Sequence, residues 1–131
     1  MPIPAITTLR TTIATALTDN SKWQTFDFPP ANILPNSLII AWDNPMLETQ
    51  NNQYNTISPM ANFKILMTVP MFDNLGNLSY IEDMITSVFN LLAASSLNVA
   101  VKEVSSPAVL NLASGDLLTA EMSISILTSW S

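Results

Sequence analysis

Apolar residues recur every three or four positions in two stretches of the chain, which is the spacing of one helix face. The first stretch predicts a helix from about Pro4 to Leu17, with proline at its start, where the missing N–H does no harm. The second predicts a helix over Ser79–Ala94, preceded by a turn at Asp73–Asn77. Ser79 and Glu82 have the spacing of a capping box, in which both side chains bind backbone N–H groups at the helix start. Two amphipathic helices are therefore expected.

Alternation of apolar and polar residues predicts the strands. The most regular segments are Phe63–Met71 and Leu118–Ile126, each with one apolar face. The continuous apolar run Leu38–Trp42 is typical of a strand covered on both faces. Shorter strands are predicted at Trp23–Phe28 and Leu97–Val104, with Val109–Leu112 as a further candidate. Prolines at positions 29, 30 and 35 separate the early strands, since proline cannot donate to a ladder.

The order of these elements is helix, strands, helix, strands. It predicts an α+β fold, an antiparallel sheet of four to five strands with two helices packed on one face. A chain of 131 residues is long enough to bury one core, and no repeat or linker divides it. We therefore expect a single domain over residues 1–131.

The longest polar stretch runs from Asp43 to Asn62 and consists largely of amide side chains. A loop of that length is usually functional or disordered, although its ends would also suit a long hairpin with Gln50–Gln53 near the tip. We predict that it reaches a neighbouring subunit or another protein, and tryptophan near the chain end is a further interface candidate. The predicted interface residues are Leu47, Glu48, Gln50, Asn51, Asn52, Gln53, Tyr54 and Trp130.

Composition favours assembly over catalysis. Only 11% of residues are charged, and neutral amides and hydroxyls are buried against a partner at lower cost than charges. A large core under a neutral surface is the alternative. The net charge of −6, with four scattered cations, disfavours nucleic-acid binding.

The chain has no histidine and no cysteine, which removes the usual catalytic triads and cysteine-ligated zinc. A Ser–Lys pair using Lys64 or Lys102 stays open, but both lysines fall on polar strand faces, where a solvated charge is the ordinary role. We predict no enzyme activity, no catalytic residues, no cofactor and no metal site. Neither a signal sequence nor a membrane-spanning segment is recognisable, so a non-exported protein that does not enter membranes is expected.

The chain resembles the tail terminator proteins of long-tailed bacteriophages. The similarity lies in size and element order: a short first helix, an extended segment ending in Phe28-Pro29-Pro30, the apolar strand Leu38–Trp42 and a long polar excursion. A strand over Phe63–Pro70, the helix from Ser79 and two or three final strands follow.

This resemblance implies a structural protein of the virion tail or neck, assembled in the host cytoplasm. Such proteins form a ring, expected here to be a homohexamer, that stops tube polymerisation and provides the docking face for head-tail joining. The implied partners are the tail tube protein and the head-tail connector protein, and DNA passes through the channel without specific contact. Another neck component, either connector or stopper, is the nearest alternative. A small binding module in a cellular complex is the alternative from a different class.

Overall fold

The fold was obtained as a computed structural model that describes residues 8–19, 21–49, 59–70, 74–95, 97, 99–112 and 115–127. Two helices and six strands are present in these ranges. In chain order they are α1 (Leu9–Leu17), β1 (Gln24–Phe26), β2 (Ser37–Thr49), β3 (Pro59–Pro70), α2 (Asn74–Ala94), β4 (Val99–Val104), β5 (Ala108–Leu110) and β6 (Leu117–Leu127).

All six strands form one sheet in the order β1-β2-β3-β6-β4, with β5 pairing β6 beyond the end of β4. Every pairing is antiparallel except that of β1 with β2. The predicted α+β class is confirmed, and the sheet has more strands than the four to five expected. The parallel pair follows from the long proline-containing connection between β1 and β2, which returns the chain to the same end of the sheet before β2 begins.

Both helices lie on one face of the sheet and form a single layer over it. α1 contacts β1 and β2, whereas α2 contacts β3 and β6. Alternate residues of the central strands point into this layer and are almost fully buried, as the alternation predicted. They pack with Leu9, Ile13 and Leu17 of α1 and with Ile81, Met84, Val88 and Leu92 of α2.

α1 ends at Leu17, as predicted, while its expected first residues lie outside the described part of the chain. The buried indole of Trp23 donates a hydrogen bond to the Leu17 carbonyl oxygen at 2.9 Å. This bond satisfies one of the carbonyls that the helix end leaves without an intrahelical partner. Trp23 thereby ties the start of β1 to the end of α1.

The start predicted for the second helix is wrong. α2 begins at Asn74, so the segment assigned to a turn is helical and Ser79 lies inside the helix rather than at its N-cap. The helix tolerates Gly76 in its interior, since glycine lowers helix stability by only about 1 kcal/mol relative to alanine. The serine–glutamate spacing was therefore a false capping signal.

The described parts of the polar stretch, residues 43–49 and 59–62, are strand rather than loop. β2 continues to Thr49 and β3 begins at Pro59, which agrees with the hairpin alternative and leaves residues 50–58 outside the description. The pairing of the two strands shifts register between Trp42 and Leu47. We call the paired segments beyond this bulge, 47–49 and 59–61, the distal hairpin.

Candidate assembly surface

The sheet face opposite the helices, here called the open face, has no helix over it in the described residues and combines polar side chains with the buried apolar residues Ile39 and Leu117. It carries the residues of β3 that alternate with the core positions, among them Asn62, Lys64 and Thr68. Asn62 and Thr68 are nonetheless almost fully buried. Buried polar groups must be hydrogen-bonded to be tolerated, so their partners define the chemistry of this face.

Asn62 is the centre of a hydrogen-bond network at the base of the distal hairpin. Its Nδ2 donates to the Pro45 carbonyl oxygen at 3.0 Å and to Oε1 of Glu48 at 2.8 Å. Its Oδ1 accepts from Oγ of Ser125, its partner across the β3–β6 pair, at 2.6 Å. Oδ1 also accepts from Nζ of Lys102 at 3.4 Å. The amide thus uses both donors and both acceptor sites, which is the full capacity of an asparagine side chain.

Glu48 and Lys102 complete this network across the open face from β4 to β2. The Lys102 Nζ lies 3.3 Å from Oε1 of Glu48 and joins β4 at one side of the sheet to the distal hairpin at the other. The hydrogen bond from Asn62, followed by the hydrogen bond and charge of Lys102, holds the pKa of Glu48 below its ordinary value of 4.5. We call Glu48, Asn62, Lys102 and Ser125 the Asn62 network.

A second set of charges lies in the middle of the open face. The Lys64 Nζ is 3.3 Å from Oε2 of Glu121 on β6 and 4.0 Å from Oδ1 of Asp43 on β2. All three ion pairs of the described residues are therefore on this face. Both lysines that were candidates for a Ser–Lys pair, Lys64 and Lys102, are bound to carboxylates here.

The proline-containing connection is fixed to the open face through Thr68. The Thr68 hydroxyl lies 2.7 Å from the Leu34 carbonyl oxygen, to which it donates, and it accepts from the Ser37 N–H at 3.0 Å. A single buried hydroxyl therefore anchors the end of the connection and the first residue of β2 to β3. Arg10 of α1 holds the other end, donating from Nη1 to the Asp27 carbonyl oxygen at 2.9 Å.

Two of the predicted interface residues fall in the described part of the chain. Glu48 is exposed and belongs to the Asn62 network, whereas the Leu47 side chain is half-buried and packs against the core. Gln50, Asn51, Asn52, Gln53, Tyr54 and Trp130 lie outside the described residues.

The sequence interpretation missed Asn62, Lys102 and Ser125 as members of a site. Asn62 was treated as the end of a polar loop, although it continues the alternation of β3 by one step. Extending that alternation backwards would have placed Asn62 on the polar face beside Lys64. No pattern in the sequence indicates that Lys102 reaches across β6 to it.

Two clefts flank the helices on the other side of the molecule. One, of about 450 Å³, is lined by threonines of α1 and by Leu91 and Leu97, and the other, of about 420 Å³, lies among Lys22, Trp23 and Tyr80. In the second cleft the Nζ of Lys22 donates an exposed hydrogen bond to Oγ of Ser87 at 3.4 Å, which is the contact of a solvated lysine rather than of a buried general base. Within the described ranges, no three histidine, cysteine or carboxylate side chains cluster as metal ligands. In the same ranges, no helix combines the length and apolar character needed to cross a membrane.

No protein-family model matches the sequence, and no curated protein matches it significantly. Functional inference therefore depends on the fold and on the two surfaces of the sheet.

Proposed function

We propose that this protein is a tail terminator of a long-tailed bacteriophage, a structural protein that forms a ring on the tail tube, stops its growth and provides the docking face for the head connector. The main support is the distal hairpin, a paired extension of β2 and β3 beyond the bulge. The Asn62 network fixes its base to β4 and β6 through three hydrogen bonds, from Lys102 to Glu48, from Lys102 to Asn62 and from Ser125 to Asn62. An amide-rich segment, residues 50–58, thus begins and ends on a rigid support.

Such a support suits recognition of a protein surface. The residues that flank the segment, 47–49 and 59–61, are already paired before binding, so less conformational entropy is lost when a partner is contacted. The segment itself carries no charge from Gln50 to Pro59, so its desolvation costs little. We infer that it contacts either the last ring of the tube or the neighbouring terminator subunit.

The proposal is tested by polymerising the tail tube protein of the same genome with and without this protein and measuring tube lengths by electron microscopy. The intact protein should cap tubes and limit their length. A variant with Gln50, Asn51, Asn52 and Gln53 changed to serine keeps the segment length and should lose capping while its unfolding midpoint stays unchanged.

The matched control changes exposed amides away from the hairpin, in the variant Asn90→Ser/Asn111→Ser, which should cap normally. Unlimited tube growth in the presence of the intact, folded protein would refute the terminator function. A stable association with the connector but not with the tube would instead indicate the alternative neck component.

A further inference from the structure

The helix layer is narrower than the sheet and leaves an apolar strip uncovered beside α2. α1 covers β1 and β2, α2 covers β3 and β6, and neither helix has more than a marginal contact with β4. Val101 and Val104 of β4 pair with Ile124 and Met122 of β6, so they point to the helix side. Both remain only half-buried, because no further helix lies over them in the described residues.

The side of α2 that faces this strip is also apolar. Leu78, Ile85 and Phe89 are seven and four residues apart and so lie on one side of the helix. The opposite side carries Leu91, which lines the cleft shared with α1, and Tyr80, which lines the cleft shared with residues 21–23. Leu78 and Phe89 are therefore directed toward β4 and β5, and Phe89 is 40% exposed.

β5 continues the strip, because Val109 pairs with the core residue Leu118 and is half-exposed on the same side. We call this surface the β4 shelf. It consists of Leu78, Ile85, Phe89, Val101, Val104 and Val109. Leu78, Phe89 and Val109 are exposed, whereas the other three are partly buried against the core. Exposed apolar residues grouped on one side of a fold are typical of a protein interaction site.

The opposite end of the molecule carries an apolar projection. Phe28, the most exposed large apolar residue of the described chain at 54%, precedes two prolines in the connection between β1 and β2. The connection is held at both ends, by Arg10 at Asp27 and by Thr68 at Leu34. Leu34 is exposed on the same connection, so the projection has both a rigid base and an apolar surface.

Each of these two surfaces has a charged side chain beside it that forms no ion pair in the described residues. The Arg10 guanidinium binds the Asp27 carbonyl next to Phe28 and has no carboxylate within 4.0 Å, while the Asp27 carboxylate accepts from Oγ1 of Thr11 at 3.4 Å. Glu82 is exposed on the shelf side of α2 between Leu78 and Ile85, and it has no cation partner in the same residues. A cation beside the projection and a carboxylate on the shelf favour contact between the two.

We propose that the β4 shelf binds the Phe28 projection of a second copy of this chain, with Arg10 of one copy near Glu82 of the next. Since the projection and the shelf are different surfaces at opposite ends of the sheet, the contact is head-to-tail, and repetition by rotation closes a ring. This inference rests on the proposed function in that it supplies the side-to-side contact of the ring.

The absence of natural cysteine allows a direct test by disulfide formation between engineered cysteines. Phe28→Cys and Phe89→Cys are purified separately and oxidised at high protein concentration, alone and mixed. A covalent dimer is expected only in the mixture, with the bond joining the two different variants. The double variant should give a series of covalent oligomers that ends at the closed ring.

The matched control is Tyr80→Cys, which is similarly exposed at 46% but lies on the other side of α2. Its mixture with Phe28→Cys should give no covalent dimer. Equal cross-linking to Tyr80→Cys, self-cross-linking of Phe89→Cys, or no cross-link in any mixture would each overturn the proposed contact. The second of these outcomes would indicate a two-fold interface between shelves.

A charge exchange gives a second measurement that needs no cysteine. Arg10→Glu and Glu82→Arg should each reduce the mass measured by light scattering, and a mixture of the two should recover association through oppositely charged neighbours. Failure of that recovery, with both variants folded, would overturn the charge pairing.

Cross-linking without tube capping would refute the terminator function and keep the contact, whereas capping without cross-linking would refute the contact alone.

Discussion

Neighbouring residues of β3 meet two different environments, one under the helices and one on the open face. Phe63, Ile65, Met67 and Val69 are fully buried, and the Phe63 ring stacks on Trp42 with centroids 4.2 Å apart. Asn62, Lys64 and Thr68 alternate with them and bind polar groups of four other strands or connections. The covered face is stabilised by removal of apolar surface from water, whereas the open face depends on specific hydrogen bonds.

The open face also separates two kinds of polar interaction. Its ion pairs lie between partly exposed side chains, and such pairs contribute little net stability because water and salt screen them. Asn62 is almost fully buried, so its hydrogen bonds have no water to replace them. We therefore expect the neutral amide to matter more for stability than the lysines and carboxylates around it.

The largest expected effect is on the covered face, where Ile65→Ala removes fully buried methyl groups. It should lower the free energy of unfolding by about 2–5 kcal/mol, the usual cost of a large-to-small change in a core. The matched variant Leu66→Ala, one residue along the same strand on the open face, should cost about 1 kcal/mol, a typical value for point substitutions. Chemical denaturation measures both.

Equal losses for Ile65→Ala and Leu66→Ala would contradict the distinction between the two faces. They would mean that the open face is covered in solution, most simply by another copy. Repeating the measurement at several protein concentrations distinguishes that case, because stability gained from association increases with concentration.

An intermediate effect is expected from Asn62→Ala, which leaves the Ser125 hydroxyl buried without this partner. The free energy of unfolding should fall by about 1–3 kcal/mol, the cost of an unsatisfied buried group. Ser125→Ala in the same chain should cost much less when Asn62 is already alanine than when it is present. Additive losses in this double-mutant cycle would show that the two side chains are not coupled.

The predictability of the two faces from the sequence differs for a physical reason. Burial of β3 and β6 follows from alternation, which depends only on the period of a strand, and those predictions were confirmed. The Asn62 network joins residues that are 14, 40 and 63 positions apart in the chain, and only the sheet order brings them together. The start of α2 was missed because Ser79 and Glu82 carry a capping pattern inside a helix that had already begun.

The β4 shelf was equally hidden from sequence reasoning. No sequence pattern indicates how many strands two helices can cover, so the exposure of Phe89 and Val109 depends on the tertiary structure. The prolines after Phe28 predict a break between strands, but the exposure of this segment follows from the tertiary contacts of Arg10 and Thr68.

The smallest expected effect concerns the acid dependence of the open face. Because the pKa of Glu48 is lowered in the folded state, its carboxylate adds stability above its ordinary value of 4.5, and this contribution is lost as the pH falls through the folded-state pKa. Wild type should therefore exceed Glu48→Gln in unfolding midpoint near neutral pH and lose that advantage in acid. Glu103→Gln is the matched control, because it removes an exposed carboxylate of β4 that has no ion pair in the described residues and leaves the Asn62 network intact. A difference between wild type and Glu48→Gln that does not change with pH would show that the Glu48 charge does not support the Asn62 network.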